Sequence, residues 1–88
     1  FIVLLDERGR SYSSIEFAQL LEKRMIAGSS SFVFAIGPAE GWEDTDRELA
    51  DLTLSLSAMT FTYQMTRLIL VEQLYRASSI QKGTPYHK

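Results

Sequence analysis

Three short apolar runs, separated by stretches long enough for helices, constrain this chain more than any other feature. They are Phe1-Ile2-Val3-Leu4-Leu5, Phe32-Val33-Phe34-Ala35-Ile36 and Thr53-Leu54-Ser55-Leu56-Ser57. The first two are continuously apolar, which reads as strands buried on both faces. The third alternates, so one of its faces is less apolar. Strands that alternate with helix-length connections pair in parallel and carry helices on the sheet's faces. The order β-α-β-α-β-α therefore predicts an α/β fold, a small parallel sheet with helices on both faces, in a single domain over residues 1–88.

The connections supply start and stop signals. Glu7-Arg8-Gly9-Arg10 reads as a turn. Ser13 and Glu16 have the spacing of a capping box, in which each side chain satisfies the other residue's backbone amide. The helix they open has an apolar stripe of Phe17, Leu20, Leu21 and Met25 and stops at Gly28. Gly37-Pro38-Ala39-Glu40-Gly41-Trp42 forbids continuation of the second strand. An acidic helix from about Glu43 to Ala50 follows. Ala58 to Thr62 form a further loop, and Thr62 caps a last helix from about Tyr63 to Gln81, with Gly83 as its stop. That helix is apolar nearly all round (Met65, Leu68, Ile69, Leu70, Val71, Leu74, Tyr75, Ala77, Ile80), the pattern of an enclosed helix. So small a chain can hardly enclose it alone, which predicts its own sheet on one side and a second subunit on the other.

Size points the same way. A chain of 88 residues buries only about 60% of its unfolded surface. It has no cysteine, hence no disulfide or thiolate metal site, and a single histidine, hence no multi-histidine metal site. Dimerisation is the expected extra support. A three-stranded parallel sheet leaves two edges to cover, so either a further N-terminal part or a partner is expected there. The longest apolar run of the last helix, Leu68-Ile69-Leu70-Val71, falls far short of the ~20 residues that span a bilayer. No signal peptide is visible, and the expectation is a soluble cytoplasmic protein with no membrane or metal partner. Residues 1–52 hold five Lys/Arg against ten Asp/Glu, and residues 53–88 hold Arg67, Arg76, Lys82 and Lys88 against Glu72 alone. This asymmetry suits an anionic partner for the C-terminal face and is equally compatible with an ordinary solvated surface.

In open parallel sheets, ligands sit beyond the carboxyl ends of the strands. Three loops leave those ends here, Asp6–Tyr12, Gly37–Trp42 and Ala58–Thr62, and topology makes them converge. The middle loop's glycines allow close backbone approach but match neither a dinucleotide fingerprint nor a P-loop. Ser57-Ala58-Met59-Thr60-Phe61 combines backbone donors with an apolar sulfur and a ring, which suits an adenine face or a core contact. Trp42 reads as a partly buried anchor, and Asp6 as a polar ligand or a turn residue. Glu72 and Arg76, at i and i+4, can pair with each other. Arg67 and Arg76 are candidates for phosphate. His87, beside Tyr86, is the only side chain whose ordinary range lies near neutrality.

These blocks together resemble the RlmH-type ribosomal methyltransferases of the SPOUT class. The matching residues are Leu5-Asp6 with Gly9, Ser13-Ser14 with Phe17-Ala18, Phe32 to Gly37, Leu54 to Phe61, Glu72-Gln73 with Tyr75-Arg76-Ala77, and Tyr86-His87-Lys88. The last three blocks, in that order and spacing, are the specific ones. The resemblance covers the family's C-terminal portion. It implies a deep trefoil knot, S-adenosylmethionine as methyl donor, and methylation of N3 of a pseudouridine in large-subunit ribosomal RNA. It further implies a homodimer through the last helix (about residues 63–81) and a site completed across the subunit boundary by the tail. Carried over residue by residue, the donor pocket is Leu5, Gly37, Leu56, Ser57, Ala58, Met59, Thr60 and Phe61. His87 or Tyr86 is then the base or orienting group, and Arg76 holds phosphate or developing charge.

The chain departs from that pattern in three places. The family's N-terminal strands are absent, Pro38 stands where a second glycine is usual, and Thr62-Tyr63 stands where Pro-His is frequent. Proline at that point removes an amide donor. Three readings follow: a knotted methyltransferase domain, a minimal knotted homodimer that keeps the fold without catalysis, and a nucleotide-binding or protein-interaction module using the same pocket.

Overall fold

The computed structural model of the protein describes residues 1–38 and 40–87; Ala39 of the middle loop and Lys88 of the tail lie outside the described residues. The elements are β1 (Ile2–Ser11), α1 (Ser14–Ile26), β2 (Val33–Ile36), α2 (Asp44–Leu49), β3 (Leu52–Ser55) and α3 (Tyr63–Lys82). The strands form one parallel sheet in the order β2-β1-β3. After β1 the chain steps to one side for β2, then crosses back over β1 to β3. Right-handed crossovers in opposite directions put α1 and α2 on opposite faces, and α3 packs against α1 on the first of them.

The caps follow the sequence signals. Ser13 and Glu16 form both halves of the capping box, and Thr62 Oγ1 accepts from the Met65 amide at the start of α3. Gly83, in the left-handed region at φ 73°, ends α3 and turns the tail back along it. The core between the sheet and the α1/α3 layer is Val3, Leu5, Phe17, Ala18, Leu21, Leu54, Leu70 and Ala77. Leu4 points to the opposite face from Val3 and Leu5 and is also buried.

Three expectations need correction. Residues 7–10 are not a free turn but part of a ten-residue β1. Leu54 is paired with Leu5 and again with Arg10, and Ser55 with Ser11. A strand residue takes one partner on each edge, so the segment Asp6–Gly9 carries the chain from one edge of β3 to the other. At that crossing a Cβ on Gly9 would lie 2.6 Å from the Thr53 carbonyl oxygen, so this contact admits only glycine.

The second strand is not fully buried. It has four residues, among the described residues it pairs only with β1, and Val33 is 56% exposed. An apolar run belongs to a two-sided strand only when elements cover both faces and an edge, and here β2 is the sheet's edge. The third strand spans Leu52–Ser55, ending before Leu56 and Ser57 as the chain bends into its loop. The chain does not enclose α3 by itself, in keeping with the expectation for so small a chain. Leu70, Ala77 and Ser79 are buried, whereas Met65, Leu68, Val71 and Tyr75 are exposed, so a contiguous apolar stripe is uncovered. No helix of the described residues is long and apolar enough to cross a membrane.

Candidate functional site

The crossing segment of β1 and the loops that follow β2 and β3 meet around a cleft of about 730 Å³. From the first come Leu5 to Arg8, from the second Gly37 and Trp42, and from the third Leu56, Ser57, Met59, Thr60 and Phe61. The start of α3, Tyr63 and Thr66, closes one side. Seven of the eight residues singled out from the sequence line this cleft; Ala58 is exposed and does not. The reason is local. Ser57 Oγ accepts from the Met59 amide at 3.0 Å, and Ser55 Oγ donates to the Ser57 carbonyl at 3.0 Å. The resulting tight turn places Ala58 at its outer corner. Thr60 Oγ1 donates to Glu7 Oε2 at 2.5 Å, tying the loop after β3 to the crossing segment of β1.

Two contacts fix the other walls. Trp42 is half-buried, and its Nε1 donates to the Leu5 carbonyl at 3.0 Å. Its indole lies over Gly37, where a Cβ would come within 2.8 Å of Nε1. Glycine at 37 is therefore what lets the tryptophan pack down on the strand end. Asp6, a candidate ligand from the sequence, is instead committed within the protein. Its side chain is 7% exposed and receives Arg47 Nε at 3.0 Å and Nη2 at 2.7 Å, with the Arg8 amide on its other oxygen. The pair ties α2 to the crossing segment of β1. Burial alone raises the Asp6 carboxyl, but the Arg8 amide and the Arg47 guanidinium outweigh it and hold it below the ordinary aspartate range.

A depressed folded-state value stabilises the fold above the unfolded value, near 3.9, and that stability disappears as pH falls through the lower, folded one. Asp6→Asn should therefore lower stability by about 2 kcal/mol at neutral pH and flatten the acid limb of the unfolding curve below about pH 4. Urea titrations across pH test this, and an unchanged acid limb rules the pair out.

The tail residues gather elsewhere. Arg76 sits on α3 with Nε and Nη2 on the two oxygens of Glu72, at 3.2 and 2.8 Å. The Tyr86 hydroxyl donates to Glu72 Oε2 at 2.8 Å, and Arg76 Nη1 lies 2.9 Å from His87 Nδ1. The Tyr86 ring stands edge-on to Tyr75 and under the Arg76 guanidinium. The hydrogen bonds from Arg76 and Tyr86 hold the Glu72 carboxyl below its ordinary range. The bond to Glu72, with burial, holds the Tyr86 phenol above its own. None of Arg76, Tyr86 and His87 lines the cleft. Thr66, which does, lies ten residues before Arg76, about 15 Å along a helix. One chain thus brings the loops together and, separately, the tail. The i, i+4 spacing revealed the Glu72–Arg76 pair. The Tyr86–Glu72 bond depends on the turn at Gly83 and has no signal in local spacing.

Over residues 1–87 the chain matches the family described as predicted SPOUT methyltransferases. It is 47% identical over 87 residues to the ribosomal RNA large subunit methyltransferase H of Christiangramia forsetii, covering 99% of this chain and 55% of that protein. The protein of the same name from Porphyromonas gingivalis is 49% identical over 85 residues, 97% of this chain and 54% of its own. The one from Geotalea daltonii is 51% identical over 86 residues, 98% and 56%. The chain spans about half the length of the curated relatives it matches. On a parallel sheet with these three segments converged on one cleft, and on similarity along nearly its whole length, this chain belongs to the SPOUT methyltransferase family.

Proposed function

We propose that the cleft binds S-adenosylmethionine and that the chain is the knotted catalytic portion of an RNA methyltransferase. Its proposed acceptor is N3 of a pseudouridine in large-subunit ribosomal RNA. The observation that carries this reading is the convergence of Leu5, Gly37 and the Leu56–Phe61 loop on one cleft in a member of this family. The names of the relatives support the ribosomal RNA substrate.

The residues suit the donor. A cleft of this size is within the range that holds such ligands. Leu56, Met59 and Phe61 offer apolar surface to a purine, and Gly37 offers backbone without a side chain. Glu7 brings a carboxylate to a cationic ligand. When bound, S-adenosylmethionine supplies a methyl carbon made electrophilic by its sulfonium. The chain's part is to hold it, exclude water and aim the acceptor. The passage of Asp6–Gly9 from one edge of β3 to the other supports the proposed trefoil knot.

The proposed homodimer forms through α3. Met65, Leu68, Val71 and Tyr75 follow one another at helical spacings of three and four and are all exposed. Tyr75 touches the tail residue Tyr86, so an interface on this stripe sets each tail at the subunit boundary, within reach of the partner's cleft. Arg67 and Lys82, exposed on α3, suit an RNA backbone nearby. Leu68→Glu combined with Val71→Glu should give a monomer in sedimentation at micromolar concentration while helix content persists. Persistence of the dimer removes this stripe from the interface.

The reading of a knotted dimer without catalysis draws on Pro38, which offers no amide at the cleft, and on the separation of tail and loops within one chain. Methylation of ribosomes that lack the modification, by purified protein and labelled donor, separates the two. Incorporation at a single pseudouridine supports catalysis, and donor binding without incorporation supports the alternative.

A further inference from the structure

The tail's two titratable groups are held in a way that assigns them a definite role. Arg76 Nη1 is 2.9 Å from His87 Nδ1. A guanidinium has five N–H donors and no acceptor, so Nδ1 must be the acceptor. The ring is then neutral with its hydrogen on Nε2, because the bond made by one nitrogen sets the proton on the other. A base needs an uncommitted lone pair. Nδ1 has given its lone pair to Arg76, and Nε2 carries hydrogen. Tyr86 is no better placed, since its hydroxyl donates to Glu72 Oε2 at 2.8 Å and its phenol is held above the ordinary range.

Glu72 organises this arrangement. Its two oxygens receive Arg76 Nε, Arg76 Nη2, the Tyr86 hydroxyl and, at 3.0 Å, Gln73 Nε2. Gln73 Oε1 in turn accepts from Ser14 Oγ at 2.7 Å, which ties the cluster to the first turn of α1. The carboxylate cannot move without releasing both the arginine and the tyrosine.

We propose that His87 acts as a hydrogen-bond donor through Nε2–H to a carbonyl oxygen of the acceptor nucleobase, and that Glu72, acting through Arg76, is the positioning residue that fixes this tautomer. The proposal rests on the reading that the tail meets an acceptor at the partner's cleft. The acceptor's proton then leaves without help from the tail: the N3–H bond breaks, its electron pair stays on N3, and the proton passes to water. The donor at Nε2 stabilises the negative charge that spreads onto the adjacent carbonyl oxygen.

Because the chain has one histidine, nitrogen NMR on uniformly labelled protein reads this ring without assignment ambiguity. The expected spectrum of the neutral ring is the Nε2–H tautomer alone. Glu72→Gln should convert it to a mixture while circular dichroism is unchanged. An Nδ1–H or mixed tautomer in the wild-type protein overturns the donor assignment, and a Glu72→Gln spectrum identical to wild type overturns the positioning role.

Turnover gives the second readout. His87→Gln keeps an N–H near the Nε2 position and should retain kcat within about tenfold. His87→Ala should lose about a hundredfold or more, with KM for the donor unchanged in both. A His87→Gln variant as inactive as His87→Ala, with His87→Ala rescued by added imidazole, identifies a base and overturns the proposal. A wild-type chain with the expected tautomer that methylates no RNA overturns the reading of the site and leaves the ring assignment standing.

Discussion

Gly37→Trp should raise the Kd for S-adenosylmethionine by at least about a hundredfold, nearly 3 kcal/mol of binding, while the protein stays folded. The first atom added at Gly37 already meets Trp42, with Nε1, Cε2 and Cδ1 at 2.8, 3.0 and 3.2 Å. Those atoms belong to a side chain, which can swing away. Swinging away costs the bond to the Leu5 carbonyl. A large ring at 37 then fills the middle wall of the cleft between Leu5 and the third loop. Gly37→Ala should act through the same displacement with a smaller effect, about tenfold. Titration calorimetry on the three proteins checks this, and wild-type affinity in Gly37→Trp removes the cleft from donor binding.

Gly9→Ala should have the largest effect on stability. A Cβ there would lie 2.6 Å from the Thr53 carbonyl oxygen and 2.7 Å from its carbon. These are backbone atoms of β3, where Thr53 pairs with Leu4 and the next residue, Leu54, pairs with both Leu5 and Arg10, and they cannot yield as an indole can. Overpacking against fixed atoms costs about 3 kcal/mol, or roughly 10–20 °C in Tm for a domain of this size. Thermal melts of Gly9→Ala and Gly37→Ala side by side make the comparison. Equal melting temperatures contradict the crossing of β1 over β3, because only that crossing distinguishes the two glycines in kind.

Local rules left the clearest marks in the sequence. The Ser13/Glu16 box, the Thr62 cap and the stop at Gly83 each depend on residues within a turn of one another, and each stands where the spacing puts it. The convergence of the segments after Leu5, Ile36 and Ser55 also followed from the sequence, because parallel order places them on one side, although the first of them is strand rather than loop. What depends on long-range placement did not show. The apolar run of β2 does not reveal that it lies at an edge, since burial depends on what else is present to cover it. Glu7-Arg8-Gly9-Arg10 has the composition of a turn, and its pairing with β3 is decided by residues some 45 positions away. The all-round apolarity of α3 does not say which side its own chain covers: Leu70 and Ala77 are buried, and Met65, Leu68, Val71 and Tyr75 are exposed. In the site, Asp6 looked free until Arg47 of α2 folded onto it, and Ala58 shared its neighbours' motif without sharing their direction.

The central claim is that the three converging segments form a methyl-donor site. The most direct measurement is titration calorimetry of the purified chain with S-adenosylmethionine, after sedimentation has fixed its mass. Saturable binding at one site per chain in a folded dimer is the predicted result. A folded dimer that takes up no heat with the donor at any attainable concentration would contradict the claim and leave the molecule a scaffold of the family without its ligand.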